Sequence, residues 1–91
     1  MQFDWDPEKN DQNIRKHGVS FEEAQEAFAD PRAMEEYDEE NSTTNERRFK
    51  LVGLSSRRLL VVVYAEIENE TIRIISARKA GRSQRKAYEQ G

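Results

Sequence analysis

Arg47-Arg48-Phe49-Lys50-Leu51-Val52-Gly53-Leu54, Leu59-Leu60-Val61-Val62-Val63-Tyr64-Ala65-Glu66-Ile67 and Thr71-Ile72-Arg73-Ile74-Ile75-Ser76-Ala77 are three strand-like runs separated only by Ser55-Ser56-Arg57-Arg58 and Glu68-Asn69-Glu70. Connections this short allow hairpins and leave no room for crossover helices, so the runs are expected to be consecutive antiparallel strands. Leu59 to Val63 is apolar at every position, which buries both faces and makes the second run the central strand, with helices covering one face. Thirteen of the chain's 18 Leu, Ile, Val and Phe residues lie between Phe49 and Ile75. The rest is hydrophilic: 36% of the 91 residues are charged and the mean hydropathy is -1.03. Such a composition borders on that of disordered chains, but a net charge of -3 is too small to keep a chain expanded and the apolar residues are concentrated in one place. A single folded domain spanning residues 1–91 is expected.

Toward the N-terminus, Phe3 and Trp5 alternate with Gln2 and Asp4 as a short first strand. Asp6-Pro7-Glu8-Lys9 then supplies an N-cap and a proline at the first helical position, for a helix running to His17 and stopped by Gly18. Ile14 is its one strong apolar residue, which predicts a surface helix held by a narrow contact. Ser20 and Glu23 have capping-box spacing, with Phe21, Ala24 and Phe28 following at helical intervals until Asp30-Pro31. A strand near Met34 to Tyr37 and an acidic exposed loop lead to Glu46; at the other end, Arg82 to Gln90 forms a short last helix. The expected fold is α+β: an antiparallel sheet packed by two N-terminal helices plus a short C-terminal helix.

Charge divides the chain. Residues 1–45 carry 13 acids and 4 bases, residues 46–91 carry 5 acids and 11 bases, and Arg73, Arg78, Lys79, Arg82, Arg85 and Lys86 follow one another without an intervening acid. A basic segment rich in Arg suits bidentate contact with phosphates, although pairing with the acidic half would explain the same distribution. Cysteine is absent, which removes disulfides and thiolate chemistry. The acidic N-terminus is unlike a signal peptide, and Leu59 to Ala65 is far shorter than the ~20 residues of a membrane helix, so a cytoplasmic protein without membrane contact is expected.

The four glycines are isolated, so no nucleotide-binding loop is present, and a single histidine with a solvated acidic loop makes no metal site. No cofactor is expected. Cationic groups, one His and three Tyr remain, and RNA cleavage without a metal needs only such groups: a base for the 2'-hydroxyl, an acid for the 5'-oxygen and fixed cations for the transition state. His17 could be that acid or base, or equally a helix C-terminal cap. Arg78 follows Ile72, Ile74 and Ser76 in strand alternation, so it is expected to extend their face beyond the apolar part, free for a phosphate or paired with an acid. Arg47 and Arg48 point to opposite faces, so at most one serves a given site. Arg57 and Arg58 fall in a connection where exposure is the default, while Trp5 and Tyr88 are read first as packing residues.

Phe3-Asp4-Trp5-Asp6-Pro7-Glu8-Lys9, Asn13, Lys16-His17-Gly18-Val19-Ser20-Phe21-Glu22-Glu23-Ala24, Phe28-Ala29-Asp30, Glu46-Arg47-Arg48, Leu59 to Tyr64 and Arg73-Ile74-Ile75-Ser76-Ala77-Arg78-Lys79-Ala80 resemble, in order, the BrnT toxins of bacterial type II toxin-antitoxin systems. The resemblance implies a RelE-like fold, ribonuclease activity that arrests growth, and neutralisation by a BrnA-type antitoxin with a ribbon-helix-helix domain, through which alone the complex meets operator DNA. By position it adds Lys9, Glu23 and Arg73 to His17, Arg47, Arg48 and Arg78 as residues on characteristic segments. Candidate catalytic residues are therefore Arg78, His17, Arg48, Arg47 and Lys9, with Arg73, Lys79, Arg82, Arg85 and Lys86 as RNA contacts. A non-catalytic RNA-binding or regulatory module using the same basic surface is the alternative, and an interaction subunit using the acidic half a third.

Overall fold

The computed structural model describes residues 1–68 and 70–91. Its elements are β1 (Gln2–Asp4), α1 (Pro7–His17), α2 (Phe21–Glu26), a 3-10 turn (Ala27–Ala29), β2 (Met34–Tyr37), β3 (Arg47–Leu54), β4 (Leu59–Ile67), β5 (Thr71–Lys79) and α3 (Arg82–Gln90). One sheet has the order β1-β5-β4-β3-β2, so the apolar run of β4 is central. β2–β3, β3–β4 and β4–β5 pair antiparallel, whereas β1 adds to β5 in parallel, which makes the sheet mixed where an antiparallel one was expected. Within the Glu68-Asn69-Glu70 connection, Asn69 lies outside the described residues.

Leu60, Val62 and Tyr64 of β4, Phe49 and Leu51 of β3, and Ile72, Ile74 and Ala77 of β5 form the core with Val19, Phe21, Ala24 and Ala27 from the helical segment. Gly53 belongs to this face because a side chain there would come within 2.8 Å of the Ala27 carbonyl oxygen. Leu59, Val61 and Ala65 alternate to the opposite face and are buried outside that cluster, as is Tyr88 of α3, whose hydroxyl donates to Asp30 at 2.6 Å. Helices therefore do not all cover one face, and Tyr88 anchors its helix as expected.

β5 runs two residues past Ala77 and carries a β-bulge. Val63 pairs with Ser76 and Tyr64 with Ile74, leaving Ile75 over. The extra residue shifts the alternation by one, so Ser76 and Arg78 lie on the face opposite Ile72 and Ile74, where unbroken alternation had put all four together.

The caps of α1 are the predicted ones. The Asp6 carboxylate accepts from the Glu8 amide at 2.9 Å, Pro7 opens the helix, and Gly18 closes it at φ 70 in the left-handed region. Its anchor is not Ile14, which is 42% exposed, but Asn13, which is 6% exposed. The Asn13 amide donates to the carbonyls of Val19 and Ala77, both at 2.8 Å, and its oxygen accepts from the Ala77 amide at 3.2 Å. β1 covers β5 only from Thr71 to Arg73, so one carboxamide stands in for the missing strand at Ala77. A buried polar helix face of this kind is invisible to a search for apolar periodicity.

The predicted capping box is half made. Ser20 accepts from the Glu23 amide at 3.0 Å, but the Glu23 side chain turns to Arg58 Nη2 at 2.8 Å, Arg58 Nε at 3.0 Å and Ser55 Oγ at 2.8 Å. Arg58 also donates to the Gly18 carbonyl at 2.7 Å. An arginine expected in an exposed turn thus ties the β3–β4 connection to α2 and to the end of α1. The Arg58 guanidinium first of all, with Ser55 adding to it and burial opposing, holds the Glu23 carboxyl below the usual carboxylate range.

Asn13→Leu should cost about 2 to 4 kcal/mol in thermal or denaturant unfolding, because it strands buried backbone groups at Val19 and Ala77 that each cost about 1 to 3 kcal/mol unpaired; a change below ~0.5 kcal/mol would show that α1 is anchored elsewhere. For Glu23 the folded pKa lies below the unfolded one, so its contribution is complete above the unfolded value and disappears as pH falls through the folded one. Stability measured from neutral pH down into the acid range should therefore fall less steeply in Glu23→Gln than in wild type, and parallel curves would contradict the assignment.

Candidate functional site

Alternation on β1 and β5 sorts two kinds of surface. Phe3 and Ile72 face the core side, while Asp4 and Arg73, neighbours in register, face the other. On that second side α1 lies along the edge of β5 and leaves a groove. One end, about 310 Å³, is lined by Asp4, Trp5, Lys9, Arg73 and Ile75 among others; the other, about 240 Å³, by Lys9, Lys16, His17, Ile75 and Ser76. Lys9 and Ile75 belong to both ends and join them.

Helical geometry explains the cations. Lys9, Asn13 and Lys16 fall at i, i+4 and i+7, with His17 beside them, so the stripe that buries Asn13 against β5 aims the basic residues along the same edge. Trp5 packs edge-to-face on Phe21 at 6.1 Å and forms part of the wall. Ser76 enters the groove because of the bulge. His17, half-buried, is the last residue of α1 and among the described residues has no hydrogen-bond or ion-pair partner, so both ring nitrogens are available for proton transfer.

Arg73 pairs with Asp4 at 2.9 Å, with half of its side chain exposed. An exposed pair is worth about 0 to 1 kcal/mol, so Asp4 orients the guanidinium without withholding it from a phosphate. Arg48, Ala65 and Arg73 stand in one row across β3, β4 and β5 on this face, followed by Lys50, Val63 and Ser76 and then by Val52, Val61 and Arg78. Small and apolar side chains in the middle strand thus form a floor flanked by Arg48, Lys50, Arg73 and Arg78. Arg48 is half-buried and held by Glu46 at 2.7 Å. Arg78 is exposed, donates to the Lys79 carbonyl at 3.2 Å and makes no ion pair among the described residues, so the expected alternative of a salt bridge to the acidic half does not hold.

The candidates are only partly brought together. Lys9, His17 and Arg73 share the groove, and Arg48 and Arg78 lie on the adjoining sheet face. Arg47 is separated from them: its guanidinium lies over Tyr37 at 5.8 Å and Phe49 at 5.6 Å, on the core side. Lys79 alternates away from Arg78, and Arg82, Arg85 and Lys86 form an exposed stripe on α3. Lys16 and Ser76 are groove residues that the sequence did not single out, and Trp5, read there as a packing residue, lines the groove as well as packing on Phe21. Lys16 was findable, two helical turns from Lys9; Ser76 was not, because its placement depends on the bulge.

Among the described residues, no group of three or more His, Cys, Asp or Glu is arranged to hold a metal ion. No helix among them is long and apolar enough to cross a membrane.

No curated protein matches the sequence. The crystal structure of the ribonuclease toxin BrnT of Brucella abortus is similar to this chain, with a TM-score of 0.64 and 21% identity over 90% of this chain and 99% of that one; at that identity the likeness is one of fold. The model of the BrnT family, described as the ribonuclease toxin of a type II toxin-antitoxin system, matches residues 5–84, a span that contains the caps of α1, the groove lining apart from Asp4, and strands β2 to β5. On that match the chain belongs to the BrnT family of ribonuclease toxins.

Proposed function

We propose that the chain is an endoribonuclease that cleaves RNA without a metal ion, in the groove between α1 and β5 and on the adjoining sheet face. The observation that carries this is the convergence of Lys9, Lys16, His17 and Arg73 on one groove, beside an unpartnered imidazole. In this reading the RNA backbone lies along the edge of β5, with successive phosphates at Arg73, Lys9 and Lys16. A ribose 2'-hydroxyl attacks its own 3'-phosphate, its proton passes to a base, and the departing 5'-oxygen takes up a proton as the P–O bond breaks, leaving a 2',3'-cyclic phosphate. His17 acts in one of these proton transfers. Arg78, on the same face as Ser76 and beyond it on β5, stabilises the charge that accumulates on the non-bridging oxygens.

The cell would keep such an enzyme in check with a protein partner, which we infer to be a BrnA-type ribbon-helix-helix antitoxin; the complex would then touch operator DNA through the antitoxin. Arg47 is left out of the chemistry by its position over Tyr37 and Phe49, and a role in holding the β2–β3 edge accounts for it.

Expression without an antitoxin should arrest bacterial growth, and the purified chain should cut RNA at an undiminished rate in excess EDTA. Binding of RNA without cleavage would favour the regulatory module instead, and activity lost on chelation and restored by one divalent ion would overturn the mechanism. Arg78→Ala should lower single-turnover cleavage by roughly a hundred- to a thousandfold, as loss of a transition-state donor does, with the melting temperature nearly unchanged because the residue is exposed and unpaired. His17→Ala should lose about a hundredfold or more, the share typical of a general acid or base. Wild-type rates in either variant would remove that residue from the site.

A further inference from the structure

The other side of the β1–β5 pair carries the opposite chemistry. Two cavities, of about 460 and 260 Å³, meet at Met1, which is 78% exposed. Their floor is Phe3, Phe28, Ile67 and Ile72, and Glu22, Glu26, Glu35, Glu66 and Glu70 stand around it. Among the described residues, no Lys or Arg lines either cavity. Among the described residues none of the five carboxylates is in an ion pair, and Arg47, opposite Glu66 in register, turns to Tyr37 and Phe49 instead.

We propose, on the toxin-antitoxin reading above, that this acid-rimmed apolar groove is where the antitoxin anchors, through a basic amphipathic segment. Uncompensated carboxylates repel RNA, so nucleic acid is the wrong ligand here. They attract Lys and Arg, and electrostatic complementarity at a rim selects the partner and speeds its approach. The apolar floor asks at the same time for apolar side chains, which a simple polycation does not offer. A segment with apolar residues on one face and cations flanking them meets both demands. The free outer edge of β1 runs beside the groove and leaves its backbone groups open to the same segment. Alternation on β1 and β5 keeps this groove on the face opposite Arg73, so toxin and antitoxin charges do not compete for one surface. Glu22, Glu26 and Glu35 from the acidic half and Glu66 and Glu70 from the basic half, all unused by the ribonuclease chemistry, serve this contact together.

Glu26 accepts from the Ser56 amide and Glu35 from the Tyr64 hydroxyl, so the test spares both. The triple variant Glu22→Lys, Glu66→Lys, Glu70→Lys changes exposed residues, and among the described residues the one side-chain hydrogen bond it removes is that from the Asn10 amide to Glu22 at 3.3 Å. Affinity for the purified cognate antitoxin is measured for wild type, this variant and the milder triple Gln variant, together with RNA cleavage by each chain alone. The expected result is a rise in Kd of about tenfold or more in the Lys variant and a smaller rise in the Gln variant, the direction that rim-charge reversal gives. Cleavage by both should match wild type, and cells making the Lys variant should stop growing even when antitoxin is present. Unchanged Kd overturns the proposal. So does a Kd that responds to Lys16→Glu rather than to the acidic set, since the antitoxin would then sit in the cationic groove. A concentration-dependent dimer of the chain alone, abolished by the Lys variant, would assign the groove to a second copy. Absence of cleavage by wild type would count against the ribonuclease and leave the binding result to decide the docking site.

Discussion

Everything on the outer side of β5 depends on one side chain completing a sheet. β1 pairs with β5 for three residues and then leaves, which would expose the backbone at Ala77 in a buried setting. A buried backbone donor and acceptor without partners cost far more than an ordinary hydrogen bond contributes. Asn13 meets both groups with one carboxamide and spends its remaining amide hydrogen on Val19, at the turn into α2. The orientation of α1 follows from that contact, and with it the direction in which Lys9, Lys16 and His17 project. A wholly apolar α1 would have packed more conventionally and could not have carried a row of cations along a strand edge.

A second device fixes the far end of the same helix. Glu23 and Arg58 come from α2 and from the connection between β3 and β4, and their shared bonds reach the carbonyl of Gly18, next to His17. Breaking the pair by removing Arg58 alone would leave a carboxylate in a site where its side chain is 8% exposed, so the cost is that of a stranded charge rather than of a surface ion pair. The candidate proton-transfer residue thus sits at a junction of three elements, although its own side chain is unengaged.

What the sequence disclosed was whatever is encoded locally. Asp6-Pro7 and Gly18 mark α1 to the residue because caps act over one turn, and the three β-runs are unmistakable because their connections are short. Asn13, Arg58 and Ser76 escaped for a common reason: each is defined by a partner far along the chain. Asn13 meets Ala77, Arg58 meets Glu23, and Ser76 changes face only because Ile75 has no counterpart on β4. The parallel addition of β1 is of the same kind, since nothing near Phe3 says which edge it will join. Cations were legible as a composition and their separation into a groove, a sheet face and a helix stripe was not; Arg47 and Arg48, adjacent in sequence, end on opposite sides of the sheet.

The parallel pairing of residues 2–4 with residues 71–73 has a consequence for when the groove can form. Lys9 and His17 are made more than fifty residues before β5, the strand that forms the other wall of their groove. Such distant pairing is slow to form and must wait for residues 71–73. A nascent polypeptide that has not reached β5 carries the basic helix without the edge it lies on, so the groove is assembled only after translation has passed residue 79. For a protein that attacks RNA, the order of synthesis is itself a safeguard.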